Sequence, residues 1–596
     1  MSSETKFKVI GKSPVRHDGT DKVTGRALYG ADMNLPGMLY GKVLRSPHPH
    51  ARIKSIDISK LKDHPDCKAI VTSKDLAPSP EVTKEPLYGQ VRITNVLATD
   101  KVLYKGHPIL AIASDSPDAA EELLSLVNIE FEVLKSSSNV EEAINKDSDI
   151  IHENWEKTKD VYDVNPNGTN IGTVEVYKLG DATEALKKSE HIIEREFRTK
   201  TVHQGYIEPT NGTAWWRPND RLTIWCSSQG HFGIRDSVAM VLGIPSSQIT
   251  VIPMEIGGGF GGKLSAYLEP LAAILSKKSG LPVKMTMSRS EVLESTGPTS
   301  GSYQKITMGY NSKGEINAAK AIMMLEAGAF PGAPVSGAAS AIFSPYEIND
   351  VHIDGYDIVT NKPKTTAYRA PGSPISMFAV ESMINEIAEI VGVDPVELRI
   401  MNAAKKGTRR ADGVINGTIG AIDVMESIRN HPHYSMPLPE GEFVGRGISL
   451  GFCRNNAGVS SVVSNMLTDG SFSLTEGSVD IGGSRTAVAQ QFAEVLEIPV
   501  ENVIPQIGDT DTIGYTSVTG GSGVAFKTGF AAYHTAKDIK SQLIKRAALI
   551  WDTSEKNITY KDGVLYHSND PELKLSLKEI AGLLFETGGP ITGKSH

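Results

Sequence analysis

Apolar and polar positions along the 596-residue chain alternate in short blocks, with no single long repeat. The period-two alternation of Asn128-Ile-Glu-Phe-Glu-Val133 predicts a half-buried strand, and apolar runs at 38–48, 66–72 and 108–113 predict strands broken by turn residues. An amphipathic helix is expected at 117–126. From Lys135 to Val174 the sequence turns polar, a long connection and a first domain boundary. In the block 175–402, strands are expected at 221–226, 249–255 and 282–287, and helices at 231–242 and 264–279. Apolar residues three to four apart from Ile375 to Ile390 predict another helix. Asp394-Pro395 then supplies an N-cap with proline at the first helical position. The charge run Lys405–Arg410 reads as a solvated linker and second boundary. The last block predicts strands at 471–475 and 500–507, helices at 486–497 and 528–548, and a turn-rich tail, Gly588–His596, with no closing element. The expected division is 1–150, 151–410 and 411–596.

Composition narrows the class. Apolar residues at 40% and charged residues at 22% describe a globular chain with several cores. A well-mixed net charge of −9 argues against a dedicated nucleic-acid binder, which needs a basic face. Three widely separated cysteines, Cys67, Cys226 and Cys453, exclude a disulfide framework, a four-cysteine zinc site and an iron–sulfur cluster held by this chain alone. The polar start has no signal-type apolar core, and no apolar run approaches the ~18 residues that span a bilayer. A cytoplasmic protein without a membrane span is therefore expected, and the Asn-x-Thr triplets at Asn167, Asn211, Asn416 and Asn557 read as turns.

Candidate chemistry concentrates in glycine-rich loops. Gly257-Gly-Gly-Phe-Gly-Gly-Lys263 follows an apolar strand and precedes the helix expected at 264. Glycines at such a junction free backbone N–H groups to face an anion, and Phe260 projects into ligand space. The loop also satisfies a dinucleotide fingerprint and most of a phosphate-binding P-loop, but Leu264 stands where the P-loop needs Ser or Thr. The next strand ends at Ser288-Arg289, without the acidic residue a dinucleotide loop requires. A second cluster, Asp480-Ile-Gly-Gly-Ser-Arg-Thr486, and a third, Thr519-Gly-Gly-Ser-Gly523, point with the first to a long, multiply anionic ligand held at several places. The pairs His48/His50 and His431/His433 flank prolines and read as turns. Glu208, before Pro209, reads as a strand-end salt bridge rather than a catalytic acid.

The order of these motifs resembles the molybdopterin-binding large subunit of the xanthine dehydrogenase/aldehyde oxidase family across essentially the whole chain. The resemblance runs through Asp21-Lys-Val-Thr-Gly-Arg-Ala-Leu-Tyr-Gly-Ala-Asp32, Arg45-Ser-Pro-His-Pro-His-Ala51 and Val102-Leu-Tyr-Lys-Gly-His-Pro108. It continues through Ile207-Glu-Pro209, Ser228-Gln229, the Gly257–Lys263 loop, Ala367-Tyr-Arg-Ala-Pro-Gly372, Glu381 and Asp394–Asn402. It implies an α+β fold: an a/b hammerhead domain followed by two mixed α/β molybdenum-cofactor-binding lobes, the second incomplete. It also implies a molybdenum cofactor, molybdopterin in its dinucleotide form, whose metal is held by the pterin's own sulfurs. By position, Gln229 lies near the metal, and Gly257, Gly258, Gly259, Phe260, Gly261, Gly262 and Lys263 line the site beside it. Arg369 lies near metal and substrate. Gly482, Gly483, Ser484, Thr519, Gly520, Gly521 and Ser522 hold the pterin and the phosphates of its tail.

The chemistry implied is hydroxylation or dehydrogenation of an aldehyde or N-heterocyclic substrate, with oxygen from water and electrons leaving through 2Fe-2S and FAD partner subunits. Tyr368-Arg369-Ala370-Pro371-Gly372-Ser373 lacks the cysteine of the carbon monoxide branch. Leu264 replaces the glutamate of purine-oxidising members, and Gly483-Ser484 replaces the usual Gly-Gln of the second pterin loop. The family's general-base glutamate lies in a further C-terminal stretch, so a fragment, or a site completed by a separate C-terminal molybdopterin-domain subunit, is expected. Two alternatives stand beside this reading: a non-catalytic cofactor-carrying or assembly subunit, and a nucleotide-binding enzyme using the Gly257–Lys263 loop.

Overall fold

The computed structural model describes residues 7–76, 93–153, 170–454 and 458–595. Its first unit contains β1 (Leu39–Arg45), β2 (Ala51–Asp57), β3 (Ala69–Thr72), β4 (Lys101–Val102), β5 (Pro108–Ser114), helix α1 (Pro117–Ser125) and β6 (Asn128–Val133). Ser116 caps α1 by accepting the Ala119 N–H, with proline in the first turn. Strands β4, β2 and β6 form a three-stranded sheet. Within the expected connection, Asn139 caps a short helix at Val140–Ala143, and residues 154–169, with the Asn167 triplet, lie outside the described residues.

The middle block holds β7 (Ile171–Leu179), β8 (His191–Thr199), β9 (Asn211–Trp216), β10 (Leu222–Cys226), α2 (His231–Leu242) and β11 (Ile249–Pro253). It continues with α3 (Glu269–Ser279), β12 (Val283–Thr286), β13 (Ser302–Tyr310), β14 (Ile316–Gly328), β15 (Asp350–Val359), α4 (Ser373–Val391) and α5 (Pro395–Met401). Strands β1, β5 and β3 do not close a unit of their own but complete a seven-stranded sheet in the order β11-β10-β9-β12-β1-β5-β3. The join is the parallel pair β1–β12, Leu39 opposite Val283 through Gly41 opposite Met285. It satisfies two edges that would otherwise expose a row of unpaired N–H and C=O groups. Helices α2 and α3 cover this sheet, with Val238, Leu271 and Leu275 packed on Leu222, Ile224 and Val251. The five-stranded sheet β7-β15-β14-β13-β8 packs instead on α4, through Met383, Ile384 and Ile387. Asp394 caps α5 as expected, accepting from Val396 and Glu397 N–H.

The last block comprises β16 (Val462–Met466), β17 (Phe472–Glu476), α6 (Ser484–Leu496), β18 (Val503–Ile507), α7 (Val524–Ile550), β19 (Ile558–Lys561), β20 (Val564–His567), β21 (Asp570–Ser576) and β22 (Thr592–Ser595). A four-stranded sheet, β18-β17-β16-β22, is covered by α6 and α7, with Phe472, Leu474, Phe492, Ile539 and Leu543 at its centre.

Three expectations are corrected. The tail is not without a closing element: Thr592–Ser595 pairs antiparallel with β16. Its strand pattern is hidden because α7 passes so close that a Cβ at Gly593 would stand 2.6 Å from Ile539. Helix α3 begins at Glu269 rather than 264, because the Glu269 carboxylate accepts the N–H groups of Tyr267 and Leu268 just ahead of Pro270. The charge run at 405–410 is not wholly solvated: Arg410 is buried against Asp412 and lies over the Phe452 ring.

Candidate active site

The first glycine loop leaves β11 and folds back against the start of β9 and the segment that follows β10. Gly258, Phe260 and Gly261 all have positive φ (91°, 53° and 107°), which turns successive N–H groups to one side. Gly261 must be glycine on two counts. Its φ lies in the left-handed region, and a Cβ there would stand 2.3 Å from the Ala367 carbonyl oxygen. Among the described residues the amides of Gly258, Gly259 and Phe260 donate to no protein acceptor. Phe260 is 43% exposed, so its ring borders open space.

Under this loop lies a buried ion pair. Lys263 Nζ meets Glu208 Oε2 at 2.6 Å, with both side chains almost fully enclosed. The same carboxylate oxygen accepts the Gly257 N–H at 2.7 Å, and Oε1 accepts from Asn211. Burial pulls the Lys263 pKa down, opposed by the Glu208 charge. A P-loop lysine must be free to reach phosphate; this one is spent on Glu208, and the helix that would aim its dipole at the loop starts six residues later. The expected strand-end salt bridge at Glu208 is therefore present, and the nucleotide-loop alternative loses its central residue.

Gln229 ties the lobes together. Its Oε1 accepts the Gly261 N–H at 2.7 Å, while its Nε2 donates to the Thr519 carbonyl at 3.0 Å. Its backbone pairs with Thr519 as well, accepting that N–H at 2.7 Å. Thr519 in turn donates through Oγ1 to Val479 O at 2.6 Å, reaching the strand end that leads into the second glycine loop. Arg369 sits on the far side of the first loop, its N–H donated to the Phe260 carbonyl at 2.9 Å, with an exposed side chain. Gln229, Gly257–Lys263, Arg369 and Thr519 thus meet at one rim, although 290 residues separate Gln229 from Thr519. The third loop, Thr519–Ser522, leads directly into the 27-residue helix α7. The amides of Gly520, Gly521 and Ser522 have no protein acceptor among the described residues. Buried Lys527 holds the approach to this loop from beneath, donating to the carbonyls of Ser517 and Val518.

The second loop behaves differently. Asp480 Oδ1 accepts the N–H groups of Gly482, Gly483 and Ser484 at 2.9, 2.7 and 2.9 Å, and the Ser484 hydroxyl at 3.0 Å. Burial alone would raise the Asp480 pKa, but the Gly482 N–H and the Arg485 guanidinium hold it below the usual carboxylate range. Arg485 bridges the lobes, bonding Asp480 at 2.8 Å and Glu255, which stands just ahead of the first glycine loop, at 2.7 Å. The amides expected to face a ligand here are filled from within. The sequence places Asp480 and Arg485 in the second cluster without showing their roles, and it does not single out Glu255. The available signal was a carboxylate two residues ahead of a glycine pair, a pattern in which the side chain bonds the amides that follow it.

These features fit an acceptor-rich, anionic cofactor. Two loops present open amides, one of them at the start of a long helix, and no group of three or more His, Cys, Asp or Glu side chains able to hold a metal occurs among the described residues. Molybdopterin cofactor-binding domain models match residues 164–403 and 438–596, and the aldehyde oxidase and xanthine dehydrogenase a/b hammerhead model matches 24–135. The chain belongs to the xanthine dehydrogenase/aldehyde oxidase family, as a molybdopterin-binding subunit of a molybdenum-cofactor oxidoreductase. It is 30% identical over 427 residues to the large molybdopterin subunit of nicotinate dehydrogenase from Eubacterium barkeri, covering 71% of this chain and 96% of that one. It is 27% identical over 609 residues to the large subunit of nicotine 6-hydroxylase from Paenarthrobacter nicotinovorans, covering 96% and 73% of the two chains. Quinoline 2-oxidoreductase from Pseudomonas putida superposes with a TM-score of 0.83 over 99% of this chain and 79% of its own, at 21% identity, a likeness of fold. The α+β hammerhead-plus-lobes architecture expected from the motifs is the one found. No helix among the described residues is long and apolar enough to cross a membrane.

Proposed function

We propose that this subunit holds the dinucleotide form of molybdopterin between its two cofactor lobes and oxidises a small N-heteroaromatic or aldehyde substrate. Oxygen comes from water, and the electrons pass to 2Fe-2S and FAD partner subunits. The observation that carries this reading is the Gln229 amide, bonded at once to Gly261 and Thr519, which joins two loops with open amides around a common rim bearing Phe260 and Arg369. When bound, the molybdenum centre supplies two-electron oxidation at carbon. The chain's own residues bind and orient. The open amides at 258–260 and 520–522 would hold the cofactor's acceptor oxygens, and Gln229 fixes the distance between the lobes. The half-exposed Phe260 ring offers a flat apolar wall for a planar substrate. The exposed Arg369 guanidinium orients a substrate carbonyl or carboxylate. Leu264, in place of a carboxylate, and the lack of a cysteine in Tyr368–Ser373 disfavour xanthine and carbon monoxide. The 30% identical relative, named for nicotinate, favours the N-heteroaromatic class.

The test is the full chain purified with its partner subunits, assayed for molybdenum, pterin and acid-released nucleotide. Stoichiometric molybdenum and dye reduction with a pyridine carboxylate or an aldehyde are expected. A complete complex without molybdenum overturns the reading. Bound pterin without substrate-dependent reduction converts it to the carrier alternative.

A further inference from the structure

The second glycine loop has spent its amides on Asp480, so donors toward an anion there must come from another part of the chain. The N-terminal arm runs over this loop. Glu494 on α6 accepts the N–H groups of Lys8, Val9 and Ile10 at 3.0, 2.6 and 3.0 Å. Further along, the His17 N–H and ring Nδ1 both reach Thr486 Oγ1, at 3.1 and 3.2 Å. Between these anchors Arg16 lies on Gly483. A Cβ at residue 483 would stand 3.1 Å from Arg16 Nε and 3.3 Å from Cζ, so the glycine lets the guanidinium lie close against the loop without crowding.

The guanidinium is held in one orientation. Nε and Nη2 donate to the two carboxylate oxygens of Asp18 at 3.0 and 2.6 Å, and buried Asp18 is fixed in turn by Lys22 at 2.7 Å. That fork occupies one edge of the guanidinium. Nη1 donates to no protein acceptor among the described residues, and nothing lies within 4 Å of the Cβ position of the neighbouring Gly482. A planar, pre-oriented guanidinium with a free edge beside an open backbone is a recogniser of phosphate oxygens.

We propose that Arg16 is a phosphate-binding residue of the cofactor site, its Nη1 edge donating to the phosphate of the molybdopterin tail at Gly482–Gly483. The proposal rests on the cofactor reading above. The experiment measures molybdenum and pterin retained per chain after extensive washing, in the complex with its partner subunits. Arg16→Ala is expected to retain the cofactor about 10–100-fold less tightly, the range for losing a charge-assisted contact to phosphate. Arg16→Lys is expected to fall between, and Arg26→Ala, which removes an exposed arginine of the same arm, to match wild type. Arg16→Gln keeps a stem over Gly483 without the charge and is expected to show the same deficit as Arg16→Ala. An unchanged melting temperature of the cofactor-free chains separates lost binding from lost folding. Loading with the monophosphate and dinucleotide forms locates the contact. A deficit in both assigns Arg16 to the phosphate they share, and a deficit only in the dinucleotide form assigns it to the second. Equal retention in wild type, Arg16→Ala and Arg16→Gln overturns the inference alone. Absence of pterin from the wild-type complex overturns the cofactor reading itself.

Discussion

The loops at 257–263 and 480–486 are alike in composition, each a glycine cluster at the lobe boundary, yet they use their backbone amides in opposite ways. The first leaves Gly258, Gly259 and Phe260 open and confines its charges to the neutral Lys263–Glu208 pair beneath. The second closes on Asp480 and passes the resulting charge to Arg485 and Glu255. Glycine content confers freedom to turn amides toward an anion. Whether a ligand finds them free depends on whether a carboxylate of the chain arrives first. Both loops also stand beside a buried carboxyl with a raised pKa. Burial lifts Glu269 to about 7, and burial together with the Asp480 charge lifts Glu476 well above its ordinary range.

The contrast is most severely tested at Lys263. Lys263→Ala leaves Glu208 buried without its counter-charge, a loss of about 3–5 kcal/mol read as a lower denaturant midpoint. The double variant Glu208→Gln, Lys263→Met recovers most of it. A loss below ~1 kcal/mol in Lys263→Ala, the scale of a surface ion pair, would show that the first loop does not rest on this pair.

A smaller effect is expected at the buried carboxyls Glu269 and Glu476, which share a raised pKa with buried Asp357. Folded Glu269 keeps its proton to about pH 7, whereas its ordinary pKa is 4.5. Between those values the unfolded state binds fewer protons, so stability falls as pH rises through the window, by about 3 kcal/mol at its upper end. Glu269→Gln flattens that slope in denaturation midpoints taken from pH 4.5 to 7.5, and Glu476→Gln acts in the same direction in the last lobe. A slope unchanged in both variants would place the pH response elsewhere.

The smallest stability effect carries the sharpest qualitative outcome. Asp480→Ala removes the acceptor of three amides and one hydroxyl, a loss of about 1–3 kcal/mol. It also opens the second loop to an outside anion. Sulfate is expected to raise the melting temperature of this variant more than that of wild type, in which the loop amides are taken by Asp480 and, among the described residues, only Arg16 offers a donor there. A variant indifferent to sulfate would mean that the glycines, and not Asp480, set the loop's geometry.

Local sequence foretold what depends on near neighbours. The helix over 375–390, the Asp394 cap, most strands and the three glycine loops were legible because periodicity, capping and turn chemistry act within a few residues. So was the Glu208 ion pair as a type of interaction, though not its partner. The tail strand at 592–595 was hidden because Gly593 answers to α7 rather than to strand propensity. Arg410 looked like one charge of a solvated run until Asp412 and Phe452 were placed around it.

The sequence by itself determined the elements, the motif order that marks the family, and the absence of enough cysteines for a cluster of its own. Tertiary structure alone decided that β1 pairs with β12 to join hammerhead and lobe, and that Gln229 meets Thr519 across 290 positions. It likewise decided that Asp480 fills one glycine loop while the other stays open. The physical reason is common to all three. Edge hydrogen bonds, buried charges and backbone amides must each find a partner, and the partner is set by which segments the cores bring together, not by distance along the chain.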